Sequence, residues 1–345
     1  MTPPNAALGG FRAALKIASP QVRMEGSTPF VDYYCVSRDS TSRRDLPIVE
    51  RRLHRKLSTA LNNQSQQDVC CLIGEPIAGN PTQYMLEKAF EAARLDWRFL
   101  TFEVPALDLE GALRGARIFG FNGIMLAPPH RNSVIPYLQE IGEAARISGQ
   151  VNCIKQTQDR FFGYNTEGRA LRQLLEQTGA VKGLRVTIVG SGRIAKAIAA
   201  ELAIVGVAEI RFLCRNPEKV EELTKTLVSE TPLASCHADA LAPDSLFAID
   251  DSFQVLINAT PVGPNQPNER LPLDLDGLEK HTLVADVVFN PPNTWLIKEA
   301  QARGCRTVDG LTLLIEQAAL AFEIWTGAAA DRQAMREAVE EFLVL

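Results

Sequence analysis

At 345 residues, with 46% hydrophobic and 22% charged side chains, the chain has the length of about two globular domains. Its 36 Lys and Arg against 41 Asp and Glu leave a net charge of -5, so the molecule lacks the cationic field that gathers nucleic acid or anionic lipid. The richest apolar stretch, 197–210, is broken by Glu201, Gly206 and Glu209, so no membrane span is expected, and seven scattered cysteines without CxxC spacing fit reduced thiols in a cytoplasm.

Residues 1–66 differ from the rest, with ten basic side chains against five acidic ones. Pro, Ser and Thr dominate to Pro47, after which Ile48, Val49, Leu53, Leu57 and Leu61 fall near helical spacing beside Arg51, Arg52, Arg55 and Lys56. The expectation is a basic, poorly ordered leader carrying one short amphipathic helix; a binding arm is the other reading, and the acids argue against an organellar transit peptide. From Val69 the pattern changes to apolar runs at 69–73, 97–104 and 123–127, alternating with helical periodicity at 84–94, 107–119 and 133–147. That alternation predicts an α/β unit with a largely parallel sheet. Segments 151–156 and 160–165 read as a hairpin on the sheet edge. A second doubly wound series follows at 185–189, 209–214, 255–259 and 283–289, and two apolar-periodic helices, 311–325 and 331–342, close the chain.

The clearest motif is the strand from Val186 to Val189 running into Gly190-Ser191-Gly192-Arg193-Ile194-Ala195, a G-x-G-x-x-A at a helix start. The glycines allow a tight turn and let backbone N–H groups approach a pyrophosphate. The next strand ends in Cys214-Arg215-Asn216, with Lys219 close behind, where an NAD site would carry Asp or Glu for the ribose hydroxyl. Two cations there favour a 2′-phosphate, hence NADP. Two later strand ends, Asn258-Ala259-Thr260 before Gly263 and Asp286 through Pro291, line the same predicted crevice. The four histidines have no metal-ligand spacing, so no metal is expected.

In order along 69–327 these segments resemble the shikimate dehydrogenase family. Gly74-Glu75-Pro76-Ile77 is similar to its G-x-P-I, Gly149-Gln150-Val151-Asn152 to its G-A-V-N, and Asn165-Thr166-Glu167-Gly168 to its N-T-D-G. Asn258 to Thr260, Asp286 to Pro291, Asp309-Gly310-Leu311 and Glu316-Gln317 follow as consecutive family segments. The resemblance implies a two-domain α/β enzyme with a Rossmann NADP-binding domain at 170–310. An α/β substrate-binding domain would comprise 67–169 plus 311–345, the C-terminal helices packing back on it. It implies reduction of 3-dehydroshikimate to shikimate with NADPH, in aromatic amino-acid biosynthesis, by an enzyme type that commonly dimerises. Cofactor contacts would fall on Gly190, Ser191, Gly192, Arg193, Ile194, Arg215, Asn216, Lys219, Asn258, Thr260 and Gly310.

The substrate motifs depart from the family. Where the family has S-x-S-P to hold a carboxylate, this chain has Asn80-Pro81-Thr82-Gln83, and the family's catalytic lysine becomes Arg131. The matching aspartate is Glu167, and a family tyrosine is Phe289, while Asn152 and Gln317 are retained. The expected substrate contacts are therefore Asn80, Thr82, Asn152, Phe289 and Gln317, with Arg131 and Glu167 as the catalytic pair. Hydride chemistry at a secondary alcohol needs a partner for the hydroxyl proton, and an arginine keeps its own. The base is then Glu167 or His130, with His130 read as structural because neighbouring side chains point apart. Three outcomes stand open: shikimate dehydrogenase activity; dehydrogenation of another cyclic polyol or hydroxy acid such as quinate; or NADP binding without catalysis, with Arg131 and Glu167 a plain salt bridge.

Overall fold

Two six-stranded sheets organise the residues described by the computed structural model, namely 67–179, 181–242, 247–249, 254–263 and 269–345. The leader expected over 1–66 lies outside them. In the first sheet, β1 (Asp68–Gly74) is followed by α1 (Thr82–Ala92), β2 (Trp97–Glu103), α2 (Leu109–Ile118) and β3 (Gly123–Leu126). Strand β1 runs parallel to β2 and β3 between them, and the last five of its residues are buried, the signature of a continuous apolar run covered on both faces.

The helix expected over 133–147 is instead four short pieces: the helical turn α3 (His130–Ser133), a 3-10 turn at Ile135–Tyr137, β4 (Glu140–Ile141) and α4 (Glu143–Ser148). Pro136 cannot donate a helical hydrogen bond, and Gly142 is extended at φ -60, ψ 150. The apolar positions that mimicked a helix still face one core, formed by Val134, Ile135, Leu138, Ile141 and Ala145 with Ile73 and Leu126. Next come β5 (Cys153–Thr157) and β6 (Arg160–Tyr164), an antiparallel hairpin turned by Gln158 and Asp159, both left-handed at φ 51 and 62. The sheet order is β2-β1-β3-β5-β6-β4, so β4 covers β6 and the hairpin sits one strand in from the edge.

Helix α5 (Thr166–Thr178) leads into the second sheet. Its elements are β7 (Arg185–Val189), α6 (Arg193–Val205), β8 (Glu209–Cys214), α7 (Glu221–Glu230), β9 (Ser235–Ala240), β10 (Phe247–Ala248), β11 (Val255–Asn258), β12 (Leu273–Asp274), β13 (Leu283–Asp286), α8 (Trp295–Ala302) and β14 (Arg306–Val308). Six of these strands form an all-parallel sheet in the order β9-β8-β7-β11-β13-β14, the doubly wound arrangement that reverses direction between β7 and β11. Strands β10 and β12 pair separately.

The chain ends in α9 (Gly310–Thr326) and α10 (Arg332–Leu343). Helix α9 serves both sheets: Leu313 and Leu320 join the core that holds Leu171, Leu175 and Ile188, while Ile315, Ala318, Phe322 and Trp325 join the core of the first sheet. Phe322 is fully buried against Phe90, which in turn meets Trp97, and burying such a ring contributes about 2–3 kcal/mol. Helix α10 packs on α1 through Met335 and Val339 and is tied to α9 by the bidentate pair of Arg332 with the buried Glu316 at 2.6 and 2.7 Å. No helix among the described residues is long and apolar enough to cross a membrane.

Candidate active site

The loop after β7 stands where the second sheet changes winding direction, and it is shaped by backbone. Gly190 is left-handed at φ 115, and a Cβ on it would stand 2.9 Å from the carbonyl oxygen of Ala259. Only glycine allows the two strand ends to approach so closely. Hydrogen bonds from Gly190 N to Leu213 O and from Ala259 N to Val189 O, both 2.8 Å, knit the ends of β7, β8 and β11. Gly192 is the N-cap of α6 and supplies no side-chain cap, which leaves the first N–H groups of that helix facing outward at its positive end. Ala195 is fully buried, so the third small residue of the motif sets the helix against the sheet. Ser191 hydrogen-bonds the Cys214 thiol, whose pKa burial pushes up.

This loop forms one wall of a cleft of about 810 Å³. Ser191, Gly192, Arg193, Ile194 and Lys196 line it together with Ala259, Thr260 and Pro261 after β11 and Val287, Val288, Phe289 and Asn290 after β13. The opposite wall is Pro128, Arg131, Asn132 and Gln150 from the first sheet. Thr260 is fixed from behind. Its N–H and hydroxyl both donate to Asn258 Oδ1 at 3.0 and 2.7 Å, and Asn258 Nδ2 donates to Asp286 Oδ1 at 2.9 Å. Asp286 also accepts from Val288 N and the Thr294 hydroxyl, yet burial outweighs these bonds and raises its pKa to about 6.

Arg131 stands on the α3 turn and donates from Nη1 to Glu167 Oε2 at 2.8 Å and from Nε to Leu126 O at 3.0 Å. Glu167 is in the first turn of α5, its side chain 7% exposed. The helix begins there because Asn165 caps Gly168 N at 3.0 Å. Gly168 lies so close to the Ala197 carbonyl of α6 that no Cβ fits. Beside Glu167, Thr166 donates its N–H to Asn152 Oδ1 at 2.7 Å and accepts from Asn152 Nδ2 at 2.9 Å, with Gln317 Oε1 3.4 Å from the same amide. Arg131, Glu167, Asn152 and Gln317 thus belong to one linked cluster. Thr166 completes it, a role missed in the sequence although it lies inside the quoted N-T-E-G segment. His130 is fully buried and donates from Nε2 to Val104 O at 2.7 Å, the structural position expected for it.

Of the expected site residues, Arg131, Ser191, Gly192, Arg193, Ile194, Thr260 and Phe289 line the cleft itself. Asn80 and Thr82 sit at the start of α1, where Asn80 Oδ1 accepts from Thr82 N at 3.0 Å. Arg215, Asn216 and Lys219 are exposed just past β8, joined to the glycine loop through Leu213. Gly310 is buried against Val288, where any side chain would collide with backbone, so it acts through packing of α9 on the cleft strand. Asn132 and Gln150 line the cleft without having been singled out as contacts; Asn132 follows Arg131, and Gln150 lies two residues before Asn152. Among the described residues no group of three His, Cys, Asp or Glu is placed to hold a metal ion.

Residues 72–154 match the shikimate dehydrogenase substrate binding domain, and residues 310–340 match the shikimate 5'-dehydrogenase C-terminal domain. A shikimate dehydrogenase (NADP(+)) of Methanopyrus kandleri is 34% identical over 291 residues, 83% of this chain and 100% of that protein. Among solved structures, the ligand-free 5-ketofructose reductase of Gluconobacter sp. strain CHM43 has a TM-score of 0.77 and 35% identity, covering 80% of this chain and 99% of that one. A shikimate dehydrogenase in complex with NADP+ has a TM-score of 0.73 and 31% identity, covering 80% of this chain and 96% of that one. Likeness over nearly the full length of these proteins agrees with the parallel sheet, the glycine loop and the facing ion pair: the chain belongs to the shikimate dehydrogenase family.

Proposed function

We propose that the chain is an NADP(H)-dependent oxidoreductase that interconverts a ketone and a secondary hydroxyl on a small polyhydroxylated molecule held in the cleft. The observation that carries this is the arrangement of its two walls, an uncapped helix start and glycine loop on one and the Arg131–Glu167 pair on the other. The loop fits a dinucleotide: the Gly190 backbone leaves no room for a Cβ, and the N–H groups at the start of α6 suit a pyrophosphate. Arg215 and Lys219, exposed at the end of β8, suit a 2′-phosphate. When bound, NADPH supplies the hydride.

Reduction adds a hydride to the carbonyl carbon and a proton to its oxygen. Arg131 would donate a hydrogen bond to that oxygen and hold the developing negative charge, since a guanidinium is a fixed donor. Glu167, the titratable member of the pair, would pass the proton. Asn152, Thr166 and Gln317 would orient the ring hydroxyls. The reference reaction is 3-dehydroshikimate and NADPH to shikimate and NADP+, which belongs to aromatic amino-acid biosynthesis. A second reading keeps the chemistry but changes the substrate to another cyclic polyol or hydroxy acid such as quinate. Phe289 favours it, because a cleft-lining phenyl ring offers no hydrogen bond. The likeness to a 5-ketofructose reductase adds ketoses to the panel.

The test is fluorescence titration with NADPH and NADH, followed by shikimate-dependent NADP+ reduction and ketone-dependent NADPH oxidation across pH 6 to 10. NADPH binding tighter than NADH, with turnover, is expected. Tight NADPH binding with no turnover of any hydroxylated substrate would sink the catalytic reading and leave a nucleotide-binding homologue.

A further inference from the structure

The wall that carries Arg131 also carries a polar group that no hydrogen bond among the described residues uses. Gln150 is 8% exposed and lines the cleft beside Arg131 and Asn132, and its Oε1 is buried without a partner among the described residues. A buried amide oxygen that has lost water and gained no donor costs stability, so on a residue that lines a cleft a turn of the carboxamide toward a bound hydroxyl relieves that cost. The backbone around it is fully committed. Gln150 N–H donates to Ala145 O at 3.1 Å, its carbonyl accepts from Asn165 Nδ2 at 3.1 Å, and Val151 N–H donates to Arg131 O at 2.8 Å. These bonds tie residues 150 and 151 to the turn that carries Arg131 and to the cap of the helix that carries Glu167. Only the side chain is left to meet a ligand.

The charge on this wall is already balanced. Arg131 is matched by Glu167, and the other cations in the described lining, Arg193 and Lys196, belong to the opposite wall at the start of α6. What remains beside the pair is two carboxamides, Asn132 and Gln150, which offer hydrogen bonds without net charge. Such a wall recognises hydroxyls, and the serines with which the family holds a substrate carboxylate are here Asn80 and Thr82, with Asn80 Oδ1 already taken by Thr82 N at 3.0 Å.

We propose that Gln150 is a specificity-determining residue whose carboxamide accepts from a substrate hydroxyl, and that the substrate class is an uncharged polyhydroxy ketone and its alcohol. This rests on the oxidoreductase reading above and deepens it. A site built around a hydrogen bond to a hydroxyl discriminates strongly against ligands that leave it unmade.

The experiment uses the full chain, with Gln150→Met to keep the volume and Gln150→Ala as a second variant, both checked by thermal melting. The probes are 5-ketofructose as the uncharged ketone, 3-dehydroshikimate as the carboxylate, and NADPH alone for cofactor affinity. The wild type should show the higher kcat/KM with 5-ketofructose. Each variant should raise the KM for that ketone about tenfold, the loss expected for one hydrogen bond, with kcat and the NADPH Kd nearly unchanged. Preference for 3-dehydroshikimate, an unmoved KM, or a loss confined to NADPH affinity would overturn the assignment, the last by placing Gln150 on a cofactor hydroxyl. Turnover of neither ketone would overturn this assignment, and the oxidoreductase reading falls with it only where no other hydroxylated substrate is turned over.

Discussion

The two walls of the cleft are built in different ways. The wall on the second sheet is made of backbone: a left-handed Gly190, an uncapped α6 start and strand ends knitted by main-chain hydrogen bonds. The wall on the first sheet is made of side chains, with Arg131 gripping Glu167 and Asn152 gripping Thr166 across loops far apart in sequence. A backbone site tolerates drift in its neighbours as long as its glycines stay. A side-chain site changes its chemistry with each identity, and this chain shows that in Arg131 and Glu167.

The strongest way to break the comparison is to put a side chain on the backbone wall. Gly190→Val requires a β-branched residue at φ 115 beside the Ala259 carbonyl, so NADPH affinity should fall by more than about 100-fold in a fluorescence titration. Retained affinity would show that the loop does not hold the nucleotide. On the other wall, Arg131→Ala should lower kcat by about 10²-fold or more. It should also cost about 3 kcal/mol in urea unfolding, because Glu167 is left buried without its partner. Nucleotide affinity should hardly move, and an unchanged kcat would reduce the pair to a salt bridge.

The contrast also governs what could be read from the sequence. The second sheet was legible through β7, β8, β11 and β13 because apolar runs and a glycine turn are local signals. Strand β9, Ser-Cys-His-Ala-Asp-Ala, escaped because a half-exposed edge strand needs no apolar pattern. Residues 133–147 misled because Val134, Leu138, Ile141 and Ala145 are all turned inward by a broken path that happens to repeat every three or four residues. The pairing of Arg131 with Glu167 came through resemblance to a family motif, since nothing local joins positions 36 apart. Gln150 shows its significance only in three dimensions, where a residue with an unpartnered amide oxygen lines the cleft.

A third prediction sharpens how the backbone wall is braced. The Asp286 carboxyl has its pKa raised to about 6 from 3.8, so between those values the folded chain holds a proton that the unfolded chain has released. Stability therefore falls as pH rises from about 4 to about 6, by roughly 3 kcal/mol for this group, and stays lower above it. Asp286→Asn keeps an acceptor for Asn258 and Val288, and an amide that can donate to Thr294. Urea unfolding from pH 4 to 7 should show that contribution to the slope removed in the variant. Equal slopes in the two proteins would mean that Asp286 is not held protonated in the fold.

The smallest effect tests the part of the nucleotide wall that is side chain after all. Arg215 and Lys219 are exposed at the end of β8, so each can contribute only a solvent-screened attraction to a 2′-phosphate. Arg215→Ala should cost about 1 kcal/mol of NADPH binding, a five- to tenfold rise in Kd, and leave NADH untouched. The loss should shrink as salt rises, because the contact is screened, whereas the Gly190→Val defect should not respond to salt. The ratio of NADPH to NADH affinity in each variant at low and high ionic strength separates the two. If Arg215→Ala weakens both nucleotides alike, the guanidinium serves the fold of the loop and the 2′-phosphate is read elsewhere, with Arg193, exposed at the start of α6, as the next residue to change.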